Sequence, residues 1–184
     1  TATHSIYVKP NGRTNVALRF YYGANDWVTR VFSLTGNGSV TQSSAGSSSG
    51  FSAVSSSIVN AGNGWYRLSM AATQSSRATF VTVLDLCTSS TPTLSAANGT
   101  EPYLGDITKG VYVWGSQLEA ASTASSYIPT AASTVTRAAD VSTSTATSVF
   151  ESSWYRQDEG TVFVEGVPGT ITSGAFPRLL QISN

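Results

Sequence analysis

The chain has 184 residues, 11% of them charged, with ten basic and ten acidic side chains, one Cys and one His. That length holds one domain with a well-buried core, or one domain plus part of another, and the cancelled charge leaves no electrostatic footprint for nucleic acid or an anionic membrane. A lone Cys87 and a lone His4 exclude an intrachain disulfide framework, most zinc sites and any Ser-His-Asp arrangement with a histidine to spare.

Ser and Thr make up roughly three in ten residues, so the surface is hydroxyl-rich rather than ionic. No run approaches the ~18 consecutive apolar residues of a membrane span, and the first residues carry neither a charged nor an apolar leader pattern, so a soluble chain is expected. It opens at Thr1 and reaches strand-like sequence by His4, from which a fragment or trimmed boundary is expected.

Apolar residues recur at every second position in short runs bounded by Gly, Asn and Ser, and helical periodicity is nearly absent. The predicted strands, in chain order, span 4–9, 16–22, 27–35, 39–42, 51–59, 64–73, 78–86 and 110–119. Eight short strands at this spacing define an all-β chain, an antiparallel β-sandwich of jelly-roll type. The breaks fall at Pro10-Asn11-Gly12, at 35–38 and at 60–64, where Asn and Gly tolerate positive φ. The stretches 43–49 and 88–100 read as solvated loops or as the rims of a groove.

After Glu119 the composition turns small and polar. The expected organisation is a sandwich over 1–126, an extended connector over 127–147 in which Pro129 restricts Ile128, and the opening strands of an incomplete second β module over 148–184. Alternation resumes at 161–165 and 178–182. The sequons Asn37-Gly38-Ser39 and Asn98-Gly99-Thr100 are read as chance matches in a chain this rich in Asn, Gly, Ser and Thr. No dinucleotide fingerprint, P-loop, CxxC or HExxH occurs.

Strand parity assigns faces. Ile6, Val8, Val16, Leu18, Phe20, Tyr66, Leu68 and Met70 go inward; Tyr7, Lys9, Ala17, Arg19, Tyr21, Trp65, Arg67, Gln117 and Glu119 go outward. Two neighbouring strands would then each place a Tyr and a base on one open face. A sugar ring has an apolar C–H face and a fringe of hydroxyls, so its receptor needs aromatic plates beside Arg, Gln or carboxylates. The candidate carbohydrate-binding residues are Tyr7, Arg19, Tyr21, Trp27, Trp65, Arg67 and Gln117.

Each also has a packing role open to it. Tyr7 and Tyr21 serve equally as cross-strand partners, Trp65 and Trp27 as edge covers, and parity with Tyr112 and Leu118 assigns Trp114 to the core. The scattered acids, among them Asp85, Glu101 and Asp106, give no reason to expect the paired carboxylates of a glycosidase, and no catalytic residue is assigned. Glu101 and Asp106 with loop carbonyls could hold a structural Ca²⁺, but a solvated loop is preferred and no cofactor is expected. Cys87 reads as a small buried filler.

The segments Ser5-Ile6-Tyr7-Val8-Lys9, Gly62-Asn63-Gly64-Trp65-Tyr66-Arg67 and Gly110-Val111-Tyr112-Val113-Trp114-Gly115-Ser116-Gln117-Leu118-Glu119, continuing into Ser126-Tyr127-Ile128-Pro129-Thr130 and Val135-Thr136-Arg137-Ala138-Ala139-Asp140, resemble a phage tail-associated, carbohydrate-binding jelly-roll module. Trp154-Tyr155, Glu159-Gly160-Thr161-Val162-Phe163-Val164-Glu165 and Arg178-Leu179-Leu180 resemble the opening strands of a concanavalin A-like lectin or glucanase domain. Relatives usually carry strands before the SIYVK-like segment that this sequence lacks. The matching residues are fold-determining and transfer no ligand contacts.

The resemblance implies a non-catalytic glycan-binding module of a phage tail fibre or tail spike, extracellular on the virion. Its partners would be a host-surface polysaccharide and other tail proteins, within a homotrimer, without nucleic acid or membrane insertion. Weak single sites would gain by avidity. The alternatives are a structural spacer of the appendage and an accessory module of a glycan depolymerase.

Overall fold

In the computed structural model the chain divides into Thr1–Thr136 and Arg137–Asn184, and the structure describes residues 1–77 and 79–136. The lectin-like opening strands expected over 148–184, and the later part of the connector, lie outside the described residues.

The described part is all-β, with eight strands: β1 (Ala2–Asn11), β2 (Asn15–Gly23), β3 (Asp26–Ser33), β4 (Ser39–Ala45), β5 (Phe51–Gly62), β6 (Trp65–Gln74), β7 (Val81–Cys87) and β8 (Gly110–Glu119). Each coincides with a predicted run, because β-branched and aromatic residues at alternate positions suit a pleated surface with one buried face. The turn at Asn63-Gly64 takes positive φ at both residues, 52° and 78°, and joins β5 to β6 as a tight hairpin.

The strands form two four-stranded antiparallel sheets, ordered β5-β6-β1-β8 and β4-β3-β2-β7. The first is a β5–β6 hairpin extended by β1 and β8, and the second is a β2–β3–β4 meander flanked by β7. Their inner faces make the main core, with Val8, Val16, Leu18, Phe20, Phe32, Leu68 and Met70 fully enclosed. Phe20, Phe51 and Phe80 stack at one end, with centroids 5.2–6.1 Å apart. The inward parity of β1, β2 and β6 is therefore as expected.

The two outer faces differ. Within the connection 88–109, residues 96–99 fold across the β4-β3-β2-β7 sheet, where Trp27 Nε1 donates to Ala96 O at 2.9 Å, Asn25 N to Ala97 O at 2.8 Å and Thr29 Oγ1 to Gly99 O at 3.0 Å. Gly99 makes this closure feasible: its φ is +72°, and a Cβ there would stand 2.3 Å from the Trp27 ring. Beneath the cover lies a second buried cluster of Ala17, Val31 and Cys87. The stretch 88–100, expected as solvated loop or groove rim, is a lid on this sheet. Among the described residues the outer face of the β5-β6-β1-β8 sheet has no such lid and is crossed only by residues 121–128.

Candidate functional site

Cross-strand register arranges the open face in rows. Val59, Arg67, Tyr7 and Trp114 lie side by side across β5, β6, β1 and β8; the next row is Ser57, Ser69, Ser5 and Gln117; the third includes Ser55, Ala71, Thr3 and Glu119. Lys9 pairs with Tyr112 on the other side of the Tyr7 row.

Trp114 reaches this face through a bulge. The β1–β8 register slips between Ser5 and Tyr7, so that Tyr7 opposes Trp114 while Ser5 opposes Gln117. Two residues, Gly115, at φ +59°, and Ser116, there stand against the single Ile6, one residue more than a regular ladder holds. A bulge reverses parity along a strand, so Trp114 shares a face with Gln117 and Glu119 and not with Leu118. The expected core position for Trp114 is corrected accordingly: its side is outward and it is 53% exposed. Gly115 also lets two rings close over its backbone, since a Cβ there would stand 3.2 Å from Tyr7 and 3.3 Å from Tyr127.

The result is an aromatic cluster. The Tyr7 and Trp114 centroids are 5.2 Å apart at 56°, Trp114 and Tyr127 are 4.6 Å apart at 48°, and the Arg67 guanidinium carbon lies 5.5 Å from the Tyr7 centroid. Trp65, directly after the Asn63-Gly64 turn, faces this cluster across a cleft of about 370 Å³ lined by Tyr7, Ala61, Gly62, Asn63, Trp65 and Trp114. A second cleft of about 380 Å³ lies on the other side of Arg67, floored by Thr3, Ser55, Ser57, Ser69 and Ala71 and walled by residues 122–124.

That wall is part of a strap that crosses the face after β8. Thr3 Oγ1 donates to Ala121 O at 2.8 Å, Gln117 Oε1 accepts from Ile128 N at 2.7 Å, and Gln117 Nε2 donates to Ser125 Oγ at 3.3 Å. Arg67 Nη2 donates to Ser125 O and to Ser5 Oγ, the latter at 3.1 Å. Glu119 accepts from Ser125 N at 3.1 Å. Burial acts to raise the Glu119 pKa, but hydrogen bonds from Ser125 and Gln117 and the nearby charge of Arg67 hold it below the ordinary carboxylate range. Residues 127 and 128, expected to begin a connector, are thus fastened to the sheet. The polar fringe expected of Gln117 is spent on the chain's own strap, at Ser125 Oγ, Ser126 O and Ile128 N.

Of the seven residues assigned from sequence, Tyr7, Trp65, Arg67 and Gln117 meet on this face. Arg19, Tyr21 and Trp27 do not join them. β1 and β2 are consecutive in sequence but belong to different sheets, so their outward sides point to opposite surfaces of the sandwich. Arg19 is 7% exposed and ion-paired to Asp85 at 2.8 Å, Trp27 is 3% exposed under the 96–99 lid, and Tyr21 is half-buried with the Arg19 guanidinium 5.2 Å from its ring. Their placement on an open face is corrected on these grounds. Sequence reasoning missed Trp114 and Tyr127; a Gly inside an otherwise regular strand was the signal for the former.

The remaining reactive groups are committed elsewhere. Burial first, then the charges of Glu101 and Asp85, push the Cys87 thiol up to about 12, so it is not a nucleophile near neutrality. Glu101 accepts from Thr88 N at 2.7 Å, and Asp106 from Thr108 N at 2.9 Å. Among the described residues no three His, Cys, Asp or Glu side chains group as metal ligands. Comparison with family models, with curated proteins and with solved structures finds no match to this chain.

Proposed function

We propose that this domain is a non-catalytic glycan-binding module, and that its site is the open face of the β5-β6-β1-β8 sheet. The observation that carries this reading is the cleft between Trp65 and Trp114 with Tyr7 beside it, next to a second cleft lined by hydroxyls. Indole and phenol faces take the C–H side of a pyranose, and Ser and Thr donors take its hydroxyls. The segments resembling a phage tail-associated module add the setting: attachment of a virion tail appendage to host-surface polysaccharide, with avidity from repeated copies. An oligosaccharide array read with the full chain tests it. Binding that is lost in Trp65→Ala and in Trp114→Ala supports the reading; binding unchanged in both, or no binding by the parent chain, refutes it.

One observation favours a second reading, an assembly or spacer domain. β8 is an edge strand that leaves Val113 and Leu118 54% and 58% exposed, although both lie on its inner side. Edge strands with exposed apolar residues are templates for pairing. Light scattering that gives a stable oligomer, dispersed by Val113→Lys, would support this role.

A further inference from the structure

The open face carries two cations that make no direct ion pair among the described residues. Arg67 stands directly across from Tyr7, and Lys9 lies two residues along β1 on the same side. Neither makes an ion pair among the described residues, as Arg13 and Arg30 elsewhere do not, whereas Arg19, Arg77 and Lys109 are each paired with an aspartate. Arg67 makes its hydrogen bonds through Nη2 alone; its Nε is buried without a partner and Nη1 donates to none of the described residues. The Lys9 ammonium makes no hydrogen bond among them, and its aliphatic stem runs along Gly64, which joins Asn63 to Trp65 at the aromatic cleft. The carboxylate on this face, Glu119, sits two rows away opposite Thr3 and is held by the strap.

A plate of aromatic rings flanked by Arg and Lys side chains without a direct ion pair complements a ring that is apolar on one side and anionic at its edge. A neutral sugar would leave both cations without an anionic partner. We infer that the glycan taken by this face is acidic: an oligosaccharide of uronate or ulosonate type, its ring in the Trp65–Trp114 cleft and its carboxylate toward Lys9 at the Gly64 edge of that cleft, with Arg67 lining the adjoining hydroxyl-rich cleft. The neighbouring sugar then lies over the row of Ser57, Ser69 and Ser5. This rests on the glycan-binding reading and adds to it the charge of the ligand.

The test is calorimetric titration of the full chain with a panel of uronate- and ulosonate-containing oligosaccharides, each paired with its methyl ester, which keeps the ring and removes the charge. The acid forms should bind about tenfold more tightly than their esters at low salt, the preference shrinking as salt rises. Lys9→Gln touches no contact that holds the fold; it should weaken acid binding about threefold and leave ester binding unchanged. Equal affinity for acid and ester, or an unaltered acid affinity in Lys9→Gln, overturns the inference while the glycan reading stands. No binding of any acid, ester or neutral oligosaccharide overturns both.

Discussion

Replacing Trp27 and Trp114 by alanine, one at a time, separates an indole that holds the fold together from one that is free to meet a ligand. A Trp side chain presents on the order of 250 Å² to solvent when extended, and Trp27 is 3% exposed in the folded chain. At ~25 cal/mol per Å² its burial contributes at most about 6 kcal/mol, an upper bound that compact denatured states reduce. The loss on truncation should be about 3–5 kcal/mol, with the Nε1 hydrogen bond to Ala96 and the contact with Gly99 both gone. Trp114 is 53% exposed, so the same arithmetic gives about half, roughly 1.5–2.5 kcal/mol. Urea denaturation followed by far-UV circular dichroism measures both. Trp27→Ala should lose at least about 1 kcal/mol more stability than Trp114→Ala, whereas oligosaccharide affinity should fall only in the latter. Equal losses, or a larger loss for Trp114→Ala, would refute the bulge that turns Trp114 outward and the lid that covers Trp27.

Asp85→Ala leaves the Arg19 guanidinium in a nearly closed site without its anion, and unfolding free energy should drop by about 3 kcal/mol; a loss under about 1 kcal/mol would mean that solvent reaches the pair. Gly115→Ala puts an L-residue at φ +59° against two Tyr rings, for which we expect a cost of about 1–2 kcal/mol and weakened oligosaccharide binding, read by the same denaturation and titration; no change in either would contradict the geometry of the bulge. His4 is buried, with Nε2 3.0 Å from Ser116 Oγ, and burial lowers its pKa below 6.5. The unfolded chain therefore takes up the proton first. Stability is full above about pH 6.5 and declines as pH falls from there toward the folded pKa, by at most ~1.4 kcal/mol per pH unit, and His4→Asn should flatten the profile between pH 7 and 5.5.

Strand existence was readable because each run carries its own alternation and its own turn residues, as at Trp65–Gln74 behind Asn63-Gly64. Core parity was readable for the same local reason at Val16, Leu18 and Phe20. Sheet membership is not local. Nothing in the residues of β1 and β2 says that the chain crosses between layers after Asn11, and that crossing sends Tyr7 and Tyr21 to opposite sides. Trp114 was misread because one bulge reverses parity beyond it, and Gly115 in a strand is a cue to a bulge without saying which side each flank will take. The burial of Trp27 depends on a lid whose contacting stretch, Ser95-Ala96-Ala97-Asn98-Gly99, has the composition of any loop.

The strap after β8 also determines how the domain answers a pull. An edge strand tugged from its end peels, its ladder bonds breaking in succession. Here tension arriving through Ile128 meets Gln117 on β8, Arg67 on β6 and Thr3 on β1 before it can reach the end of β8. The load is divided among three strands through these side-chain hydrogen bonds instead of falling on the β8 ladder alone.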